Sequence, residues 1–378
     1  MKYYLIAGEA SGDLHGSYLI RALKSEDPQA EFRCWGGDLM AEAGADLQKH
    51  YRELAFMGFV EVLLNIRTIL RNFKLCKADI LAYQPDALIL VDYPGFNLRM
   101  AKWAKALGIP VYYYISPQIW AWHTSRVHQI KANVDRMFVI LPFEEPFYQK
   151  YDVEVDYVGH PLLDVIEDRG ADEEFRSRNQ LTDDSIIALL PGSRKQEISR
   201  MLDVMLTTAE SFPDHQFVIA GAPSQDRSYY EQLLQQYGTP NNVSLVENQT
   251  YALLQEAKAA LVTSGTATLE TALMRCPQIV CYRGSSISYA IAKRVIQVKY
   301  ISLVNLVMDA PLVKELIQDE FNPSQLTTAL QQLLSDEEQD RLAEGYAILH
   351  KKLGQGGAAK RCAQLIVKYM STDDIASK

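Results

Sequence analysis

Cysteine is scarce in this 378-residue chain, and the five thiols present (Cys34, Cys76, Cys276, Cys281 and Cys362) form no C-x-x-C pair. Such spacing offers neither a disulfide framework nor a zinc signature, and it points to buried thiols in a reducing compartment. No stretch approaches the roughly 20 apolar residues that a bilayer-spanning helix requires. The opening apolar run, residues 3–7, is too short for the core of a secretory leader, so a protein of the cytoplasmic side is expected. Positive charge is also in deficit. A formal net charge of −9 argues against broad nucleic-acid binding. The histidines assemble into no metal or triad pattern: His123 and His128 lie five apart, a poor fit to one helical face, and only His160, at the end of the first domain, stands near a ligand edge. No metal site is predicted.

What is present is an ordinary globular composition, 48% hydrophobic and 22% charged, in a chain long enough for two domains. Residues 1–160 carry 17 basic and 19 acidic side chains. Most of the negative charge therefore lies in the second half, and the first is the better place for an anionic partner. Short runs that are apolar throughout recur at 3–7, 87–91, 111–115 and 137–141, and again at 186–190, 217–220, 259–262 and 279–282. Each is followed by a loop of small residues and then a 3.6-period segment. Strands of that kind alternating with helices predict parallel sheets covered on both faces. In the first helix Leu14, Tyr18, Leu19, Ala22 and Leu23 share a face. A polar stretch at 164–184 separates the two series. The expected architecture is α/β, with two Rossmann-like parallel-sheet domains, 1–165 and 166–350, facing a cleft. A last helical segment, 351–378, packs back on the first domain in this reading.

Ligands in such sheets bind just beyond the C-terminal ends of the strands, so the loops there carry the argument. The first is Gly8-Glu9-Ala10-Ser11-Gly12-Asp13. Its glycines admit a ligand to the backbone, and the helix that follows offers N–H groups. It is neither a Walker loop nor G-x-G-x-x-G, because Gly8, Gly12 and Gly16 are spaced by four. A plain turn capped by Ser11 or Asp13 would look the same; Glu9 together with Asp13 favours substrate contact. The second loop follows residues 87–91. Asp92 ends a fully apolar strand, where desolvation raises a carboxylate's pKa and suits it to act as a general base; capping of the next helix is the alternative. In a third loop, Trp120 and Trp122 either stack on a ligand or pack in the core.

The fourth loop, Pro191-Gly192-Ser193-Arg194, is the strongest. Gly192 allows close backbone approach, Ser193 donates, and Arg194 pairs with phosphate oxygens at the positive end of a helix. A nucleoside diphosphate leaving group would be stabilised there. The fifth, Ser264-Gly265-Thr266, repeats the idea, with Glu270 one turn into the helix placed to accept from ribose hydroxyls. Thr266 as a mere N-cap and Glu270 as a first-turn acid are the other reading.

Taken in this order, GEASGD (8–13), VDYPGFN (91–97), SPQIWAW (116–122), LPFE (141–144), VGHPL (158–162), LLPGSRKQEI (189–198), TSGTATLE (263–270) and KYISLVNL (299–306) resemble the lipid-A-disaccharide synthase family, glycosyltransferases of the GT-B architecture. The likeness runs over nearly the whole chain. It implies an inverting transfer from UDP-2,3-diacylglucosamine to 2,3-diacylglucosamine 1-phosphate, giving a β(1→6)-linked disaccharide and UDP. No cofactor or metal is implied, the UDP-sugar being a substrate. Asp92 matches the family's essential acid and Arg194, with Gly192 and Ser193, the diphosphate-holding element. Ser264, Gly265, Thr266 and Glu270 match the nucleotide pocket; Asn305 and Gln318 match positions near the donor. Glu9, Ser11, Gly12 and Asp13 belong to the first-loop motif, on the acceptor side. Gly95 departs from the pattern, since relatives often carry an acid there.

The resemblance also gives meaning to residues 59–77. Leu63, Ile66, Leu70 and Phe73 make an apolar stripe flanked by Arg67, Arg71, Lys74 and Lys77, with no acid from Asn65 to Ala78. A helix of that kind lies on an anionic membrane surface, although a helix buried along its stripe has the same periodicity. Acylated substrates favour the membrane, which implies a peripheral protein on the cytoplasmic face of the inner membrane. A homodimer is compatible with the family. Two other readings are a UDP-sugar epimerase of the same build, against which 59–77 counts, and a non-catalytic nucleotide-sugar binding protein.

Overall fold

The computed structural model describes residues 1–54, 66–122, 124–167, 170–284 and 299–371, without the side chains of Ile66 and Trp122. The chain divides into two compact units. One holds Met1–Asp164 with Gln355–Lys378, the other Val165–Gly354.

The first unit is built on a seven-stranded sheet of order β3-β2-β1-β4-β5-β6-β7. Its strands are β1 (Lys2–Ala7), β2 (Glu31–Gly36), β3 (Asp46–His50), β4 (Ala87–Val91), β5 (Val111–Tyr114), β6 (Arg136–Val139) and β7 (Asp156–Tyr157). Every pairing is parallel. Because side chains alternate across a strand, Tyr4, Ile6, Leu88, Leu90, Tyr113 and Val139 join one apolar cluster with Cys76, Ile80 and Ala101 of the helices on that face. The odd-numbered neighbours Tyr3, Leu5, Ile89 and Val91 are buried on the other face. The central strands therefore read as unbroken hydrophobic runs.

The second unit has a six-stranded sheet, β10-β9-β8-β11-β12-β13, also parallel throughout. Here β8 is Ser185–Leu190, β9 His215–Gly221, β10 Val243–Glu247, β11 Ala257–Thr263, β12 Gln278–Tyr282 and β13 Lys314–Ile317. Both sheets thus reverse strand order at one point, between β1 and β4 and between β8 and β11.

Some sequence expectations shift in detail. Helix Ala10–Glu26 buries Gly12, Asp13, Gly16, Leu19, Ile20 and Leu23, while Leu14, Tyr18 and Ala22 are only half-buried. The sheet and helix Asp38–Glu42 both press on it, and Gly16 is needed because a Cβ there would stand 2.9 Å from the Met40 sulfur. Helix Ala358–Ser371 belongs to this unit and is tied down by Asp164, whose carboxylate accepts from the N–H groups of Gly357, Ala358 (3.2 Å) and Ala359 (3.0 Å). All five cysteines are free and buried.

The stripe read on residues 59–77 is not one face. Residues 59–65 lie outside the described residues. In helix Ile66–Tyr83, Asn72, Cys76 and Ile80 point inward, and Phe73 turns in to stack on Phe96 at 4.3 Å. Leu70 is instead 53% exposed, with Leu75 and Leu81 also outside. The outer face therefore mixes leucines with Arg67, Arg71 and Lys74. No helix among the described residues is long and apolar enough to cross a membrane.

Candidate active site

In the first unit the switch in strand order puts two carboxylates side by side. Ala7 pairs with Val91, so Gly8-Glu9 and Asp92-Tyr93 leave the sheet as neighbours. Gly8 is required by this crowding, since a Cβ would fall 2.3 Å from the Tyr93 ring. Asp92 is half-buried. Desolvation, reinforced by the charge of Glu9, pushes its carboxyl up to about 7. A carboxylate titrating near neutrality at a ligand edge is what proton abstraction from an alcohol requires.

The backbone there is unusual. Asp92 (φ +43°) and Tyr93 (φ +50°) are consecutive left-handed residues, and Ile115, at the end of the adjacent strand, has φ +66°. Each costs about 1–3 kcal/mol and persists only where the surroundings over-determine it. Pro94 then opens helix Pro94–Ala106 at its first turn.

The remaining first-loop residues divide. Ser11 is exposed in the first helical turn. Gly12 packs so close to β1 that a Cβ would lie 3.1 Å from that of Ala7. Asp13 is 3% exposed, and its carboxylate accepts from the backbone N–H of Gly37 (2.8 Å), Met40 (3.0 Å) and Leu39 (3.2 Å). It caps the Asp38–Glu42 helix, the structural alternative for this loop, though on another helix than the one it opens. Gly95 faces open space.

The loops after β5, β6 and β7 are tied by internal contacts. Glu144, buried at 1% exposure, accepts from the N–H groups of Ile140 (3.0 Å) and Leu141 (2.9 Å). Burial lifts its carboxyl to about 7 against the pull of those amides. Ser116 joins Tyr148 through a 2.7 Å hydroxyl pair, and Trp120 packs edge-on against Phe143. His160 is 4% exposed and its Nδ1 accepts from Leu162 N–H (3.3 Å). Desolvation pushes it down to about 3, with His15 adding like-charge repulsion, and the same burial pushes His15 to about 4. Both are neutral imidazoles at physiological pH. His123 lies outside the described residues.

In the second unit the switch loops follow β8 and β11. Gly192 takes φ +110°, with Glu197 Cβ only 3.0 Å from where its own Cβ would be. Ser193 is exposed, and its carbonyl is held by Ser224 Oγ (2.9 Å) and Gln225 Nε2 (3.0 Å). Arg194 is the N-cap of helix Lys195–Ala209. Its guanidinium is 60% exposed and pairs with Glu197 Oε1 at 3.1 Å. Such an exposed pair is worth at most about 1 kcal/mol. Thr263 presents its methyl group, 3.6 Å from where a Gly192 Cβ would be, and its buried hydroxyl has no partner among the described residues.

The β11 loop leads into helix Thr266–Leu273, whose start has no side-chain cap. Ser264 Oγ donates to Ile301 O (2.9 Å), Gly265 and Thr266 are exposed, and Glu270 is half-buried. Asn305 is placed otherwise than a donor-side position suggests. It is 1% exposed, and its amide is consumed by Val313 N–H and C=O and by Glu315 Oε1, each at 2.9 Å. It braces the frame. Gln318 (φ +55°) follows β13, its amide against the backbone of Gly284. Among the described residues no three His, Cys, Asp or Glu side chains gather as a metal-binding group.

Two parallel Rossmann-like units, each with a ligand-type loop at its reversal of strand order, define the GT-B class of sugar-nucleotide enzymes. Solved structures agree on the fold. The UDP-GlcNAc 2-epimerase of Neisseria meningitidis bound to UDP-GlcNAc superposes with TM-score 0.67 at 14% identity, over 97% of this chain and 100% of that one. The glycotransferase of kitacinnamycin gives 0.64 at 16%, over 97% and 98%. The sequence is more specific. The family model described as Lipid-A-disaccharide synthetase matches residues 3–368. The lipid-A-disaccharide synthase of Syntrophus aciditrophicus is 41% identical over 376 residues, 98% of each chain. That of Syntrophotalea carbinolica is 40% identical, over 96% of this chain and 94% of its own. The chain belongs to the lipid-A-disaccharide synthase family of glycosyltransferases.

Proposed function

We propose that the protein transfers 2,3-diacylglucosamine from its UDP derivative to the 6-hydroxyl of 2,3-diacylglucosamine 1-phosphate, with inversion, releasing UDP. Asp92 takes the proton of the acceptor hydroxyl as that oxygen bonds to the anomeric carbon. The anomeric C–O bond breaks and its electron pair leaves on the UDP phosphate. Arg194 and the amides at the start of helix Lys195–Ala209 receive the growing negative charge. Ser264, Thr266 and Glu270 then serve the nucleotide, and Glu9 and Ser11 the acceptor. The single observation that carries this reading is Asp92: a carboxyl poised near neutrality by burial and by Glu9, at the strand-order switch.

Residues 1–164 with 355–378 serve as the acceptor-side and membrane-side unit in this reading, and 165–354 as the UDP-sugar unit. The outer face of helix Ile66–Tyr83, with exposed leucines among Arg67, Arg71 and Lys74 and no acid from Asn65 to Ala78, fits an anionic cytoplasmic membrane surface where acylated sugars reside. The reaction is proposed to need no metal.

The test is direct. The purified protein is incubated with both acylated sugars, with and without EDTA, and assayed for disaccharide and UDP. Asp92→Asn abolishes turnover and leaves UDP affinity nearly intact, whereas Arg194→Ala weakens UDP binding at least tenfold. Normal transfer by Asp92→Asn, or unchanged UDP affinity in Arg194→Ala, removes the respective assignment.

A further inference from the structure

Asp92 does not hold its conformation alone. Its backbone N–H donates to Tyr114 O (3.1 Å). Its carbonyl accepts from two side chains at once, Tyr113 Oη at 2.5 Å and Asn97 Nδ2 at 2.7 Å. Nδ2 of Asn97 also lies 3.3 Å from the carbonyls of Val91 and Ile6, so one amide spans both strands at the switch. Tyr113 and Asn97 are each 0% exposed.

The neighbours of Tyr113 sharpen the point. Of the three successive tyrosines of β5, Tyr112 and Tyr114 have hydroxyls without a partner among the described residues. Tyr113, pointing to the opposite face, finds its acceptor in Asp92. A fully buried phenol and a fully buried amide thus direct their donors to one carbonyl, in a residue that must stay left-handed with a left-handed tyrosine after it. An extended path through Asp92 would swing its carboxylate away from the strand end and from Glu9.

We propose that Tyr113 and Asn97 are positioning residues for Asp92: gripping its carbonyl, they lock the left-handed turn that aims the neighbouring carboxylate at the acceptor hydroxyl. The proposal rests on the reading of Asp92 as the proton acceptor. Neither residue is exposed to a ligand: Tyr113 acts through the Asp92 carbonyl, and Asn97 through that carbonyl and the two strand carbonyls beside it. Loosening the grip lets the carboxylate move into water, which lowers its pKa toward the ordinary range.

The experiment compares wild type, Tyr113→Phe and Asp92→Asn. It measures kcat, KM for both acylated sugars, the pH profile of kcat/KM and thermal stability. Tyr113→Phe keeps the ring and removes only the donor. It is expected to lower kcat about ten- to a hundredfold, the size of effect that misplacing a reacting group produces. KM stays within about twofold, and the acid limb of kcat/KM moves to lower pH.

A purely structural tyrosine would scale activity with the folded fraction and leave the acid limb where it was, and that result overturns the proposal. Should Asp92→Asn itself remain active, the base assignment falls and the positioning role with it; wild-type behaviour of Tyr113→Phe beside an inactive Asp92→Asn refutes the positioning role alone. Asn97→Ser, too short to reach the Asp92 carbonyl, gives an independent reading of the same limb shift.

Discussion

Glu9 and Asp92 stand on neighbouring strands across the reversal of strand order, and the charge of the first helps hold the carboxyl of the second near neutrality. Burial contributes more than Glu9 does. Replacing Glu9 by Gln therefore lowers the Asp92 pKa without bringing it to the usual carboxylate range. A general base works only when deprotonated, so kcat/KM falls as pH drops through about 7 in the wild type. In Glu9→Gln that acid limb moves to lower pH, read from kcat/KM between pH 5 and 8. An unmoved limb would separate Glu9 from the base.

A raised pKa is also a statement about stability. The unfolded chain holds Asp92 at its ordinary value, whereas the folded chain disfavours the ionised form. Its contribution is therefore favourable at low pH and is lost as pH rises through about 7. Asparagine tolerates the left-handed backbone at this position and carries no charge. Asp92→Asn should consequently be inactive yet raise Tm at pH 8 by a few degrees, the gain falling to about a third near pH 5. Calorimetry at the two pH values checks this, and a lowered Tm at pH 8 would contradict it.

His15 and His160 act in the opposite direction. Their folded-state pKa values, about 4 and about 3, lie below the ordinary imidazole value. The stability tied to their neutral forms is fully present above about pH 6.5 and is lost as pH falls toward those folded values. The loss is on the order of 3 kcal/mol for His15 and about 5 kcal/mol for His160. His160→Asn keeps an acceptor for the Leu162 N–H and removes one titration. Its denaturation midpoint should fall less steeply between pH 6.5 and 4 than that of the wild type.

The outer face of helix Ile66–Tyr83 makes a separate prediction. Lys74→Glu with Arg71→Glu leaves the inward residues Asn72, Phe73 and Cys76 untouched. Each basic residue near an anionic surface is worth about 1 kcal/mol, so the double reversal should weaken binding to vesicles containing anionic lipid by tenfold or more. Co-sedimentation measures it, with neutral vesicles as the control.

How far these features were legible in the sequence follows from burial. Runs such as Ile186–Leu190 and Ala87–Val91 are apolar on both faces because both faces are covered, and they stand out in any reading. The strands Glu31–Gly36, Asp46–His50, Asp156–Tyr157, Val243–Glu247 and Lys314–Ile317 do not. Asp46–His50, Asp156–Tyr157, Val243–Glu247 and Lys314–Ile317 sit at the rims of their sheets, short and half polar, and Glu31–Gly36 alternates through Arg33. Asp92 stood out because a carboxylate closing an apolar strand is conspicuous, and the Gly192–Arg194 turn because a glycine and an arginine follow an apolar strand and open a helix. Asp13 and Asn305 were not readable as structural: each has the residue type of a ligand contact, and only tertiary hydrogen bonds to residues 37–40 or 313–315 show that it is occupied. Tyr113 gave no signal at all, being one tyrosine of three in a buried strand.

The return of helix Ala358–Ser371 to the first unit has a consequence for how the polypeptide matures on the ribosome. Val165–Gly354 is continuous in sequence and has all its parts once Gly354 has emerged. The unit begun by Met1 has no partner for the Asp164 carboxylate, nor for the Ala10–Glu26 face that Ala358–Ser371 covers, until the whole of Val165–Gly354 has been made. The unit begun first is thus completed after the second, and loss of helix Ala358–Ser371 injures the fold of residues far upstream.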